Sequence, residues 1–124
     1  MYDIAVIGAG ITGCSIAREL SRYNVRILLI EKNSDVADGT TKANSAIVHA
    51  GYDAKPGTLK ARFNVPGALM YEKLCSELDV HYKKTGSLVL AFSPEEMKTI
   101  QKLYDQGIAN GVPDMEIIGK DKVR

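Results

Sequence analysis

With 124 residues, of which 45% are apolar and 25% charged, the chain has the composition of an ordinary soluble globular protein with one layered core. Its 16 basic and 15 acidic residues give a net charge of +1, so no basic excess indicates binding to nucleic acid or to an anionic membrane. Cys14 and Cys75 form no CxxC pair and no cluster with histidine. We therefore predict no metal site and two reduced, packed thiols in the cytoplasm.

The first apolar run, Ile4–Ile7, is too short for the core of a signal peptide or for a membrane span, and Asp3 rather than a basic stretch precedes it. The sequence therefore predicts neither secretion nor a transmembrane segment, and peripheral membrane association of a longer protein stays open. The last residues do not complete a sheet or a layer. We expect the chain to be the front part of a longer protein.

A strand, a helix and a second strand are predicted at the start of the chain. The runs 2–7 and 25–30 are short, apolar and rich in β-branched residues, which is typical of strands buried on both faces. Between them, residues 11–23 carry apolar side chains at helical spacing, and Asn24 is a helix stop signal. A helix between two strands in so short a span predicts a parallel pair with a right-handed crossover.

A GxGxxG pattern directly follows the first strand and opens the helix. We expect its first glycine to make the tight turn, the second to let the backbone approach a pyrophosphate, and the third to bring the helix close to the strand. The phosphates would lie at the helix N-terminus, where free N–H groups and the helix dipole favour negative charge. The predicted cofactor-binding residues of this loop are Gly8, Ala9, Gly10, Ile11, Thr12 and Gly13.

An acidic residue, Glu31, ends the second strand, about 20 residues beyond the loop, where a carboxylate hydrogen-bonds a ribose hydroxyl of the adenosine half. It would also repel a 2′-phosphate, which argues against NADP, and we include its neighbour Lys32 in the predicted site. The simpler alternative is that Glu31 is a surface glutamate and the glycine turn is merely structural. The coincidence of a strand, the glycines, a helix, a second strand and an acidic residue favours the nucleotide site. The pattern alone does not separate FAD from NAD, because both contain ADP.

The segment 38–52 favours flavin over nicotinamide. It follows Glu31 closely and should lie near the carboxyl ends of the strands, where open α/β sheets bind ligands. Long irregular segments inside a compact domain are usually functional. Its hydroxyl, amide and backbone N–H groups are suitable donors for a pyrophosphate, a ribityl chain and the carbonyl groups of a ring. The side chains concerned are those of Thr40, Thr41, Asn44 and Ser45.

Two helices and up to three strands are predicted further along. The first helix covers residues 58–78, and Pro66 should kink or divide it. A capping box at 93–96, with proline at the first helical position, opens the second helix, which should end near Gly111. The predicted strands are 80–84, 87–92 and 115–118, and residues 119–124 look like the opening of another helix.

The two motifs together resemble the N-terminus of the D-amino-acid-oxidase-like superfamily of FAD-dependent oxidoreductases. Within it, residues 1–51 resemble the FAD-dependent glycerol-3-phosphate dehydrogenases and the L-2-hydroxyglutarate oxidases, which carry a Thr/Ser-rich run, Asn-Ser or Ser-Ser, an aliphatic pair and His-x-Gly in this register. The resemblance implies FAD as the cofactor and a Rossmann-like FAD/NAD(P)-binding α/β fold with a parallel sheet and additional α+β elements. It also implies that residues 1–124 are one N-terminal FAD-binding region, in which 80–124 begin a substrate-domain-like part.

By the same resemblance, five residues of the segment would line the FAD, with His49 and Gly51 nearest the flavin. These five are Thr41, Asn44, Ser45, Ile47 and His49. A flavin-side role for His49 is the preferred interpretation, and a histidine packed in a loop is the alternative. No catalytic residue is assigned, because the relatives would carry most of theirs beyond Arg124, together with the second FAD-binding segment and the substrate domain. The chain alone should therefore be inactive as an enzyme.

The substrate is less well specified than the superfamily. Glycerol-3-phosphate dehydrogenases carry Arg-Tyr shortly after His-x-Gly, but here Tyr52, Asp53 and Ala54 stand in that region. The run 55–60 looks more like the hydroxyglutarate oxidases, whereas the overall similarity fits a relative of glycerol-3-phosphate dehydrogenase. The sequence thus predicts an oxidoreductase acting on a small hydroxy compound, best matched by a glycerol-3-phosphate dehydrogenase. An L-2-hydroxyglutarate or other 2-hydroxy acid oxidase and a non-catalytic NAD- or ADP-binding module are the alternatives.

The partners implied are a small-molecule substrate and an electron acceptor of unspecified identity, without nucleic acid. A subunit that completes its FAD site across an oligomer interface is a further possibility.

Overall fold

The protein divides into two compact units in the computed structural model, which describes residues 1–122. The boundary falls between Ile47 and Val48, inside the predicted flavin-contacting loop. The last two residues of the predicted helix 119–124 lie outside the described residues. The first unit contains β1 (Ile4–Ile7), α1 (Ile11–Leu20) and β2 (Ile27–Ile30). The second contains α2 (Leu59–Glu77), α3 (Pro94–Asn110) and a 3-10 turn at Lys120–Lys122.

The first unit is built on a parallel pair of strands. β1 pairs with β2 in a register that runs from Ile4 opposite Ile27 to Ile7 opposite Ile30, and α1 connects the two strands. The hydrogen bond from Gly8 N–H to the Ile30 carbonyl oxygen, 2.7 Å long, continues this pairing into the glycine loop. The predicted strand–helix–strand unit with parallel pairing is confirmed.

The three elements are shorter than predicted. Each strand begins two residues later than expected, and α1 ends at Leu20 rather than near Asn24. The helix ends at Ser21, whose N–H makes the last bond to a carbonyl four residues earlier, because the N–H groups of the next two residues bond to carbonyls three residues earlier. The Ser21 hydroxyl bonds to the Arg18 carbonyl oxygen. This local side-chain contact competes with continued helix, as serine commonly does at helix ends.

The strands are more exposed than the sequence suggests. Half-buried and exposed side chains alternate along β1, and Ile7 is 85% exposed. α1 contacts both strands and is the single helix within Met1–Ile47. The prediction of burial on both faces is therefore wrong for the described part of the chain, because one helix covers one face of a sheet.

Gly13 allows α1 to approach the turn that precedes it. A Cβ at this position would lie 1.8 Å from the Gly8 carbonyl oxygen and 3.5 Å from Cγ1 of Val6. The third glycine of the pattern thus has the predicted role of close packing between helix and strand.

In the second unit, α2 begins at the N-cap Thr58, whose Oγ1 accepts a hydrogen bond from Ala61 N–H at 3.3 Å. The helix passes Pro66 without interruption, so the prediction that proline divides it is wrong. Proline removes one backbone hydrogen bond, to the carbonyl four residues earlier, but buried side chains on both sides of it hold the two halves in place. These are Ala61 and Val65 before the proline and Cys75 after it.

α3 has the predicted ends. Ser93 Oγ accepts the Glu96 N–H at 3.2 Å, and the Glu96 carboxylate accepts the Phe92 N–H at 2.6 Å. Pro94 occupies the first turn, and Gly111 ends the helix in the left-handed region with φ of 76°. These are the reciprocal cap and glycine stop expected from the sequence.

The predicted strands 80–84, 87–92 and 115–118 are wrong for residues 1–122, whose sheet consists of β1 and β2 alone. A strand is defined by pairing, and the second unit offers these segments no partner. Their apolar side chains stay at the surface, with Leu88 68% and Phe92 87% exposed. Residues 120–122 form a 3-10 turn in place of the α-helix opening.

Replacing Gly13 by alanine should destabilise the first unit by about 3 kcal/mol or more, because the new methyl group would meet a backbone oxygen that cannot rotate away. Gly67→Ala is the matched control, since Gly67 lies within α2 with open space around it and alanine favours helix by about 1 kcal/mol. Urea unfolding followed by circular dichroism should show a lower midpoint for Gly13→Ala only. Equal midpoints for Gly13→Ala and the unmodified chain would contradict the close approach of helix and turn.

Candidate functional site

The Ala9 peptide in the glycine loop is held on both sides. Its N–H donates to Oε2 of Glu31 at 2.8 Å, and its carbonyl oxygen accepts the Ala37 N–H at 2.9 Å. The Cys14 thiol also donates to this oxygen, with a sulfur–oxygen distance of 3.4 Å. Because Ala9 is 1% exposed, water does not compete for these contacts, and the loop has a fixed conformation.

The Glu31 carboxylate accepts three backbone N–H groups. Oε2 takes that of Ala9, and Oε1 takes those of Lys32 at 2.9 Å and Asn33 at 3.0 Å. The N–H groups of Asn33 and Ala9, in that order, lower the pKa of Glu31 most, with smaller effects from Lys32. Each carboxylate oxygen has two lone pairs, so Oε2 keeps one acceptor position, which suits a ribose hydroxyl.

Thr41 caps α1 from outside the helix. Gly10, the N-cap residue, has no side chain, and Oγ1 of Thr41 accepts the Ile11 N–H at 3.0 Å. A Cβ on Gly10 would lie 3.1 Å from this oxygen. One N–H of the predicted phosphate site is therefore already bonded, while helix geometry leaves those of Thr12 and Gly13 without an intrahelical acceptor.

The other predicted residues of the first unit make no side-chain hydrogen bond to the glycine loop. Lys32 is exposed and contacts Glu31 through its backbone N–H. Asn44 Oδ1 accepts the Ala46 N–H at 2.7 Å and shapes its own turn. Among residues 1–47, the hydroxyls of Thr40 and Ser45 have no hydrogen-bond partner, and Ile47 is 69% exposed. The structure brings Thr41 and Glu31 to the loop, whereas the roles of the remaining five stay predictions.

These residues fit the ADP half of FAD. A Cβ on the third glycine would overlap the Gly8 carbonyl oxygen, and one on the second would lie tightly against the Thr41 hydroxyl, 3.1 Å away. The helix N-terminus presents N–H groups and a dipole that favour a pyrophosphate. Glu31 is a fixed, ionised acceptor at the end of β2 with one position left for a hydroxyl. Sequence reasoning identified these groups but missed the supporting contacts of Ala37 and Cys14, which only tertiary structure shows.

His49 and Gly51 lie in the second unit. His49 is exposed and has no hydrogen bond among the residues described, so its flavin-side role stays a prediction. Gly51 is buried with φ of 106°, and an added Cβ would lie 2.8 Å from Cγ2 of Val65. Lys60 pairs with Asp53 at 2.8 Å, and this hydrogen bond is the main cause that lowers the pKa of the Asp53 carboxyl. The segment is thus held at Gly51 while the imidazole is presented to solvent.

Residues 1–122 contain no group of three or more histidine, cysteine or carboxylate side chains arranged to hold a metal ion. None of the helices in this range is long and apolar enough to cross a membrane.

The glycine loop, the carboxylate that follows β2 and the hydroxyl at the start of α1 are the features of a dinucleotide-binding module. The chain belongs to the FAD dependent oxidoreductase (DAO) family, whose profile matches residues 3–124. The family confirms the predicted superfamily, Rossmann-like fold class and FAD cofactor.

Individual relatives give the same picture. The chain is 64% identical over 123 residues to glycerol 3-phosphate dehydrogenase of Caloramator mitchellensis, covering 99% of this chain and 26% of that protein. It is 35% identical over 125 residues to mitochondrial L-2-hydroxyglutarate dehydrogenase of Homo sapiens, covering 99% of this chain and 27% of that protein. Dithionite-reduced L-alpha-glycerophosphate oxidase of Mycoplasma pneumoniae, solved with FAD bound, matches with a TM-score of 0.78 and 31% identity over 94% of this chain and 30% of that chain. The chain therefore spans less than a third of the length of these relatives.

Replacing Glu31 by glutamine should lower stability at neutral pH, and the difference from the unmodified chain should shrink in acid. The folded-state pKa of Glu31 lies below its ordinary value of 4.5, so the stabilisation is complete above that pH and is lost as the pH falls through the lower folded-state pKa. Urea midpoints measured at neutral and acid pH test this. The control is Glu19→Gln, because Glu19 forms surface ion pairs with Arg18 and Arg22, which stabilise little. A difference for Glu31→Gln that stays constant with pH would contradict the expectation.

Proposed function

We propose that the chain is the FAD-binding N-terminal part of a flavin-dependent oxidoreductase that oxidises a small hydroxy compound, with glycerol 3-phosphate as the preferred substrate. The observation that supports glycerol 3-phosphate as the substrate is the 64% identity to the Caloramator mitchellensis glycerol 3-phosphate dehydrogenase, which extends over nearly the whole chain. The glycerophosphate oxidase matched in structure supports the same class of substrate.

When bound, FAD supplies the hydride-accepting centre, and the protein provides binding and orientation. The α1 N-terminus stabilises the negative charge of the pyrophosphate through its N–H groups and dipole. Glu31 accepts a hydrogen bond from a ribose hydroxyl, and the same carboxylate fixes the Ala9 peptide beside it. Thr41 fixes the first turn of α1, so that the phosphate-binding backbone is ordered before the cofactor arrives.

L-2-hydroxyglutarate, or another 2-hydroxy acid, is the second candidate substrate. The sequence lacks the Arg-Tyr pair typical of glycerol-3-phosphate dehydrogenases, and Asp53 in that region is paired with Lys60. Phosphate recognition through that arginine is therefore unsupported, which keeps the hydroxy acid as the second candidate. The family match counts against the third interpretation, a non-catalytic NAD module.

The length of the relatives indicates where the remaining functional groups of the proposed enzyme lie. Because the chain spans 26% of the Caloramator mitchellensis relative, we place the substrate groups and most catalytic residues in sequence outside it or in a partner subunit. The 124 residues should show no turnover alone. We propose a cytoplasmic protein, with peripheral membrane association open and an electron acceptor that reoxidises the flavin.

The purified chain should bind ADP and FAD, because the first unit carries the groups predicted to bind ADP. It should bind NAD no more tightly than it binds ADP or FAD. Isothermal titration with the three ligands measures this. Thr41→Val should weaken ADP and FAD binding several-fold, since it removes the acceptor of one backbone N–H. Thr99→Val is the matched control, because Thr99 is exposed on α3 in the second unit and belongs to neither predicted motif. NAD binding tighter than FAD and ADP would overturn the flavoprotein proposal for this chain.

The proposed substrate is tested on a longer protein that contains this chain and has the full length of its relatives. Under anaerobic conditions, glycerol 3-phosphate should bleach the absorbance of the oxidised flavin faster than L-2-hydroxyglutarate does, because hydride transfer reduces the flavin. Stopped-flow measurement over a range of concentrations gives the two rate constants. A larger rate constant for L-2-hydroxyglutarate would transfer the assignment to the second candidate.

A further inference from the structure

Two side-chain amides on α3 hold the turn that follows His49. The Asn110 Nδ2 group donates one hydrogen bond to the Gly51 carbonyl oxygen at 2.9 Å and another to that of Ala54 at 2.7 Å. One helical turn earlier, Gln106 Nε2 donates to the Tyr52 carbonyl oxygen at 3.2 Å. Three of the four carbonyl groups in the turn 51–54 are therefore bonded to one face of a helix more than 50 residues away.

The surrounding packing allows no simple replacement for these bonds. Gly51 and Ala54 are buried, so their carbonyl groups would lose partners that water does not readily supply. Gly107 lies between the two amides in sequence, and a Cβ there would lie 2.0 Å from the Met115 sulfur and 3.1 Å from Cβ of Tyr52. This glycine lets α3 approach the turn closely enough for both amides to reach it.

α2 holds the same turn. A Cβ on Gly51 would lie 2.8 Å from Cγ2 of Val65 and 3.3 Å from Oδ1 of Asn64. The backbone at Gly51 is thus in contact with α2 through packing and bonded to α3 through Asn110. His49, two residues earlier, has no hydrogen bond of its own in the part of the chain that is described. Its placement depends on the backbone that follows it.

We propose that Asn110, assisted by Gln106, is a positioning residue that fixes the backbone at Gly51 and so presents His49 to the flavin. The proposal rests on the proposed function, in which the His49–Gly51 segment lines the flavin. It concerns contacts within the second unit, and neither residue belongs to the glycine loop or to the flavin-contacting segment. The amides act through the backbone and need not touch FAD.

The test compares FAD with ADP as ligands of the purified chain. ADP lacks the isoalloxazine ring, so a residue that positions the flavin-lining segment should affect FAD affinity and leave ADP affinity unchanged. Asn110→Leu keeps a similar volume and removes both donors, and it should weaken FAD binding about tenfold. Gln106→Leu removes a single, longer bond and should weaken it less. ADP affinity should change less than about twofold in both.

Gln101→Leu is the matched control. Gln101 lies on the same helix and its Nε2 donates to Asp105 at 2.9 Å, but the pair is exposed and remote from the turn. This variant should bind FAD and ADP as the unmodified chain does. Circular dichroism checks the helical content of each variant, and if Asn110→Leu loses helix, the milder Gln106→Leu decides the question.

The outcomes separate the two proposals. If the unmodified chain binds FAD no more tightly than ADP, the flavin-lining role of His49 in this chain is wrong and the positioning role is overturned with it. If the unmodified chain prefers FAD and the α3 variants keep that preference, the proposed function stands and the positioning role alone is wrong. An equal loss of FAD and ADP affinity in a folded variant would also overturn it, because that result indicates a general structural role.

Discussion

The hydrogen bond between Ala9 N–H and the Glu31 carboxylate is the contact on which the first unit depends. The parallel register places Ile30 opposite Ile7, so the residue after β2 necessarily lies beside the loop after β1. Glu31 then accepts the Ala9 N–H, and its charge is stabilised by two further N–H groups. The acidic residue therefore orders the loop, and in the proposed FAD site it also offers an acceptor to a ribose hydroxyl. Substitution would affect both, which separate measurements of stability and affinity can distinguish.

Polar contacts to the backbone have unusual weight here because the apolar core is small. Six apolar residues are buried among residues 1–122, and none of them is larger than valine: they are Ala9, Ala54, Ala61, Val65, Cys75 and Val112. Such side chains remove little apolar surface from water, so they contribute little hydrophobic stabilisation. Loop conformation in each unit is correspondingly determined by hydrogen bonds, as for Ala9 in the first and Gly51 in the second.

Sequence reasoning succeeded where a feature is specified by neighbouring residues. The Ser93 cap and the Gly111 stop each depend on a few consecutive positions, and the parallel β-α-β unit is complete within residues 4–30; the structure contains all three. The strand predictions failed because a strand needs a partner, and the apolar alternation around Leu88 does not reveal whether one is present. Pro66 does not divide α2, because packing on both sides of it outweighs one lost hydrogen bond, and the alternative prediction of a kink stays a prediction.

The candidate site likewise contains features that the sequence predicts and features that it does not. The glycine spacing predicts the loop, and the position of Glu31 predicts its ribose contact, since both follow from strand and helix geometry. The bond from Ile11 to Thr41 joins residues 30 positions apart, and that from Asn110 to Gly51 joins residues 59 apart, so no local pattern could have indicated either. The hydroxyl groups of segment 38–52 and the resemblance to known flavoproteins drew attention to Thr41 as a cofactor contact, not as the acceptor of the Ile11 N–H. Neither gave a reason to single out Asn110.

Thr41 and Asn110 solve the same physical problem with different chemistry. A backbone that must fit a cofactor loses binding free energy if it has to be ordered at the moment of binding. The Thr41 oxygen satisfies a donor at the start of α1, whereas the Asn110 amide satisfies two carbonyl acceptors beside Gly51. Each contact orders a glycine-containing segment in the protein alone, where glycine would otherwise allow many conformations. The glycines that allow these segments to pack closely therefore depend on distant side chains for their rigidity, and the two proposals extend the cofactor site beyond the recognisable motifs.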